Sequence, residues 1–177
     1  MKDRIFKAMA SLISCLLLTS IFTSVAYGAQ YIYFEAGSVS PAVEVENRLS
    51  YGIFNNSIDA WNSTSTPVAI TQVPGSGHSY LIDGQFSDDW YGLYTYLSRQ
   101  YVFWGRTKKF KIELNRNNLV NESDTFRKSV LVHELGHAFC LGDNPSSGNS
   151  SIMNYTRDRN YLTWPTGDDI AGVNAAY

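Results

Sequence analysis

HELGHAFCLGD, residues 133–143, holds two histidines four positions apart with a glutamate beside the first. On a helix, residues i and i+4 project from one face, so His133 and His137 can bind one metal ion. Glu134 lies next in rotation, close enough to hold a water beside that metal without ligating it. A zinc ion with three protein ligands keeps one position open, and water bound there acidifies toward neutral pH. Glu134 can then take a proton from the attacking water and later deliver it to a leaving nitrogen. The apolar run VLV (130–132) before the motif fits a buried helix whose polar residues turn into a cleft.

Two histidines leave a ligand to be found. His78 is the only other histidine and sits far upstream in a Gly/Ser loop; no glutamate follows Glu134. A downstream Glu of the thermolysin-like kind is therefore excluded. The candidates are Asp143, Cys140, His78 and the late aspartates Asp158, Asp168 and Asp169. If the helix continues through position 140, Cys140 shares a stripe with His133 and His137, and its thiolate becomes a possible ligand. The alternative is a small apolar side chain packed behind the site. A helix that stops at 140 needs positive φ there, which a residue with a Cβ resists by roughly 1–2 kcal/mol. Gly142 is expected to take that turn instead, ending the helix slightly later.

Working outward, NESDTFRKSVLVHELGHAF (121–139) predicts a helix capped by Ser123 or Asp124. Strands are predicted in YIYFEA (31–36), PVAITQVP (67–74), WYGLYTYLS (90–98) and KFKIELNR (109–116), and GSGHSYLIDG (75–84) reads as a loop leading into a short strand. Residues 42–62, opened by Ser40-Pro41, space Val43, Val45, Leu49, Ile53, Phe54, Ile58 and Trp61 at a roughly helical period and predict a helix. A loop rich in Gly, Ser, Asn and Pro runs over 142–150. A last helix starts near Asp168 and Asp169, whose charges suit a first turn. Without repeats or linkers, this describes one α+β domain.

MKDRIFKAMA, an apolar run over 8–22, and small residues at Ala26 and Gly28 describe a secretory leader over 1–28. The run is short and interrupted for a membrane anchor; lipid attachment at Cys15 is a lesser alternative. Residues 29–177 are then a single secreted domain. Removing Lys2, Arg4, Lys7 and Asp3 takes the 14 basic and 16 acidic residues to 11 and 15. That weakly acidic balance, without basic clusters, argues against nucleic-acid or anionic-membrane partners. Of the two cysteines only Cys140 remains, so no intramolecular disulfide forms.

HELGHAFCLGD resembles the metzincin signature, in which HExxH is followed by Gly at the eighth position and His at the eleventh. SSIMNY (150–155) resembles the Met-turn of that group, with Met153 as the turn methionine, and PTGDDIAGVNAAY (165–177) the closing helix of its matrixin branch. Residues 42–74 match its first helix and second strand more loosely. FKIELN (110–115) is similar to its sheet-edge strand. The eighth position is Cys140 and the eleventh Asp143; an Asp at the eleventh is similar to the snapalysin group. The resemblance implies a metzincin-type twisted mixed sheet with an active-site helix and a C-terminal helix. Its zinc cleft would lie between a large upper and a small lower subdomain.

By that resemblance His133, His137 and Asp143 ligate Zn2+, and a carboxylate in place of the third imidazole makes bound water somewhat less acidic. Met153 floors the metal. Tyr155 is an oxyanion stabiliser or a packing residue. The strand at 109–115 would pair with an extended substrate. The expected function is a secreted, monomeric zinc endopeptidase. Its substrates are proteins or peptides, hydrolysed by a zinc-bound water that Glu134 activates. The alternative is a non-catalytic secreted binding protein on the same scaffold, consistent with its 12 Tyr and 4 Trp. No cysteine-containing inhibitory segment is visible between the leader and the first strand. The loop DGQFSDD (83–89) is a weak calcium candidate.

Overall fold

The computed structural model describes residues 31–99, 106–145 and 151–177; the expected leader and residues 146–150 of the expected loop lie outside them. AVEVENR forms strand β2 (Ala42–Arg48), and only Phe54–Asn62 forms a helix, α1. This corrects the helix expected over 42–62. Val43 and Val45 alternate with Glu44 and Glu46, and β-branched residues fit a pleated surface. The segment also pairs in parallel with a strand on each side. Two ladders of backbone hydrogen bonds outweigh an apolar spacing that fitted a helix equally well.

The remaining strands are β1 (Ile32–Tyr33), β3 (Ala69–Gln72), β4 (Ser79–Gly84), β5 (Gly92–Arg99), β6 (Thr107–Asn115) and β7 (Leu141–Gly142). The remaining helices are α2 (Arg116–Leu119), α3 (Asp124–Ala138) and α4 (Gly167–Ala176). Five strands form one sheet in the order β3-β2-β4-β6-β5, and β1 pairs with β7 apart from it. All neighbours in the large sheet are parallel except β5, which runs antiparallel to β6. The architecture is mixed α/β, compatible with the α+β class. Among the described residues no helix is long and apolar enough to cross a membrane.

β5, not β6, is the sheet edge on the side of the HELGH helix. The strand at 109–115, expected at that edge, is paired on both sides. Its buried alternation of Phe110, Ile112 and Leu114 reads the same for an interior strand as for an edge one. β5 carries the exposed Leu93, Tyr96 and Leu97 instead.

One core joins the sheet to the helices. Val45, Ile70, Leu81, Ile112 and Leu114 meet Ile58, Trp61, Leu131 and Leu135, all buried. The Trp61 indole N–H donates to the Val132 carbonyl at 2.9 Å and so fixes α1 against α3. Helix α3 begins where Ser123 Oγ accepts from the Phe126 N–H at 3.0 Å, with Asp124 in its first turn.

The end of α3 differs from expectation. The helix stops at Ala138, and Cys140 itself takes the left-handed conformation, with φ at 67°. Gly142 lies instead in β7, paired with Ile32. Because β7 starts at Leu141, the chain must turn by position 140. The close approach is provided across the gap: a Cβ on Gly37 would lie 2.5 Å from the Cys140 nitrogen. The strained residue is then anchored, with Cys140 O accepting from the Phe34 N–H at 2.7 Å.

Candidate metal centre

Helix α3 places His133 and His137 one turn apart, and the turn at Cys140 brings Asp143 back toward them. Each imidazole Nδ1 meets a backbone carbonyl, His133 that of Ile152 at 2.9 Å and His137 that of Leu141 at 2.7 Å. A carbonyl only accepts, and these bonds are shorter than the 3.3 Å from His133 Nδ1 to Arg157 Nη1. They therefore place the proton on both Nδ1 atoms and leave both Nε2 atoms a lone pair. Those lone pairs face one Asp143 carboxylate oxygen, at 3.2 Å from His133 and 3.8 Å from His137. Burial first of all, with the Arg157 charge beside His133, holds both imidazoles below their ordinary pKa of 6.5, which favours their neutral form at pH 7. Burial alone would raise the Asp143 carboxyl, but the His133 and His137 imidazoles that face it and the nearby Arg157 charge hold it below its usual value.

Three lone-pair donors thus converge with no proton between them. A cation resolves that repulsion, and the three can hold a metal ion. Tetrahedral zinc at 2.0–2.1 Å would set its ligands about 3.3 Å apart, near the two distances from Asp143, and all three ligand atoms lie within 4.8 Å of one another. The other third-ligand candidates stand elsewhere. His78 is 3.0 Å from Glu44. Cys140 Sγ points away, 3.7 Å from the Ser38 carbonyl and 3.6 Å from the Tyr177 hydroxyl. Asp169 serves the C-terminal helix. DGQFSDD assembles no metal group among the described residues.

Glu134 lies beside the group in a cleft of about 560 Å³ that also takes in Tyr155. Burial pushes its carboxyl above the usual range, against the neighbouring His137 imidazole and a backbone hydrogen bond from Tyr94. Gly92 at the start of β5 makes its position possible: a Cβ there would sit 2.7 Å from Glu134 Cγ and 2.8 Å from Oε1. A glycine inside an aromatic strand signals such a close approach, so WYGLYTY contained the clue.

Beneath the histidines runs a supporting chain. Met153 is buried, and its sulfur packs where a side chain at Gly136 would stand. Ile152 N–H donates to Asp169 Oδ2 at 2.9 Å, and Ser151 Oγ donates to Oδ1 at 2.6 Å. Asp169 Oδ2 also accepts from the Thr166 N–H at 2.7 Å, capping α4. One carboxylate therefore fixes both the helix and the turn whose carbonyl orients His133. Sequence reading offered Asp169 as a first-turn charge and as one of several third-ligand candidates, not as this bridge.

Arg157 was also missed. Buried beside His133, its guanidinium donates to Asn154 O at 2.9 Å, Ser129 O at 2.8 Å and Ser129 Oγ at 3.1 Å. Burial, then the neighbouring Arg159, lowers its pKa to about 9. No short motif announces it, because its role depends on α3 and the 151–159 turn meeting in space. Protein-family models give no match to this chain, and curated proteins give none either.

Proposed function

We propose that this protein is a zinc-dependent endopeptidase of metzincin type, exported by its N-terminal leader. The observation that carries this reading is the convergence of two Nε2 lone pairs and a carboxylate oxygen beside the buried Glu134 carboxylate. Two imidazoles and one carboxylate form a donor set suited to zinc. When bound there, zinc supplies a Lewis acid that polarises a carbonyl and acidifies water. Glu134 accepts the proton of the attacking water at its carboxylate and returns it to the departing amine. Its raised pKa suits both halves of that transfer. β5, the exposed edge, offers backbone groups to an extended peptide and places its scissile carbonyl over Glu134. Tyr155, half exposed in the same cleft, is positioned to donate its hydroxyl to the developing oxyanion.

A non-catalytic binder on the same scaffold is the second reading, supported by Tyr161 at 82% exposure and Trp164 at 48%. Cleavage of casein or gelatin by the zinc-loaded protein separates the two. The peptidase reading expects activity that a chelator abolishes, zinc restores and Glu134→Ala removes. A zinc-loaded protein inert on diverse peptides would leave the binder.

A further inference from the structure

The cleft does not end at the histidines. Phe126, Val130, His133 and Glu134 lie along one stripe of α3, and Phe126 stands about 10 Å from His133 along the axis. At that far end sits Arg159, its guanidinium carbon 5.2 Å from the Tyr91 ring centre and 5.5 Å from that of Phe126. Tyr91 and Phe126 pack edge to face at 5.0 Å, making a rigid aromatic seat. Arg159 Nη2 donates to the Tyr155 carbonyl at 2.7 Å, which fixes the other side of the group.

Two properties set this arginine apart. No carboxylate lies within ion-pair distance of Arg159 or Arg157 among the described residues. The two neighbours divide the work: Arg157 spends its donors on Asn154 and Ser129, whereas among the described residues Arg159 makes only the Tyr155 bond and lines the cleft. A half-buried guanidinium, seated on two aromatic rings and lining the cleft, presents a planar fork matched to a carboxylate.

We propose that Arg159 is a specificity-determining residue that selects peptides carrying an acidic side chain beside the scissile bond, on the side facing the N-terminal half of α3. This deepens the peptidase reading and rests on it. Glutamate suits the site, having the reach to meet Arg159 while its backbone stays on β5. Asp89 lines the same cleft and repels such a guest, so losing Arg159 removes the attraction and leaves the repulsion.

The test uses two peptide pools differing only in Glu or Gln at the residues flanking the scissile bond. With the zinc-loaded protein, kcat/KM should favour Glu over Gln by about tenfold, and added salt should weaken the preference. Arg159→Ala should bring the ratio to one or below; Arg159→Lys, which keeps the charge but not the fork, should fall between. Equilibrium binding of the same pools to Glu134→Ala protein, with and without Arg159→Ala, gives a second readout that needs no turnover. Cleavage without a Glu preference in the unaltered protein overturns this inference and leaves the peptidase standing. An Arg159-dependent Glu preference in binding without any cleavage keeps the carboxylate site and overturns the peptidase. A preference that survives Arg159→Ala assigns the selection to another residue and overturns the proposal.

Discussion

At the scale of single residues, each ligand assignment has its own outcome. Asp143→Asn removes the charge facing both histidines. Zinc affinity should fall by more than the roughly 10–100-fold typical of losing a supporting group, measured by competition with a chromophoric chelator. Cys140→Ala should bind zinc as the parent does, since Sγ faces Ser38 and Tyr177. Loss of zinc in that variant would restore the thiolate as a ligand. Gly92→Ala tests the seat of Glu134. Its new Cβ would press on Glu134 and on Val130, 2.7 Å from the nearest atom of each, so one must shift. Displacing the base by an ångström costs on the order of 100-fold in kcat/KM, while bound zinc, assayed by elemental analysis, should be retained.

At the scale of elements, Asp169 joins α4 to the 151–153 turn, and the turn to His133. Asp169→Asn keeps the shape but removes the charge that four donors share. Stability in urea should drop by about 2–4 kcal/mol, and zinc affinity should fall with it by about tenfold. A stability loss with unchanged zinc affinity would show that His133 is oriented without help from α4. Elements also mark where sequence was legible. The Ser123 or Asp124 cap signal located the start of α3 because it is local, whereas its end at Ala138 was expected later, at Gly142. β2 was misread because the helical spacing of Ile53 to Trp61 was extended back over Val43 and Val45, whose two-residue alternation is that of a strand, and its strand neighbours β3 and β4 lie beyond any local window. The edge position of β5 was hidden for the same reason: order in a sheet is a long-range property.

For the whole molecule, the metal-free protein should be acid-sensitive. His133 and His137 are held below 6.5 when folded, so the unfolded chain takes up those two protons first as pH falls. Stability is therefore present above 6.5 and declines below it. Glu134, raised on folding, works in the opposite direction between its ordinary 4.5 and its folded value. Urea denaturation at stepped pH should show the decline, steeper in Glu134→Gln and flatter when both histidines are Gln. Zinc at about 1,000 times its Kd should add about 4 kcal/mol at neutral pH, and a chelator should remove it. The site as a set was readable because HELGH and Asp143 lie within eleven residues of each other. Its supports, Gly92, Arg157 and the carbonyls of Leu141 and Ile152, come from separate stretches that only the fold assembles.

The turn at the end of α3 has a practical consequence. Cys140 is the only cysteine in residues 29–177, fully buried, with burial foremost in holding its thiol protonated. The Tyr177 side chain covers it, its hydroxyl donating to the Ser38 carbonyl at 2.9 Å. A thiol reagent reaches Sγ only when the Tyr177 end of α4 or the segment at 37–38 packed on it moves away, so labelling rate reports that opening as a clock. The same backbone turn delivers Asp143 to the histidines. Zinc should therefore slow the clock, so that a sulfur outside the coordination sphere records its occupancy.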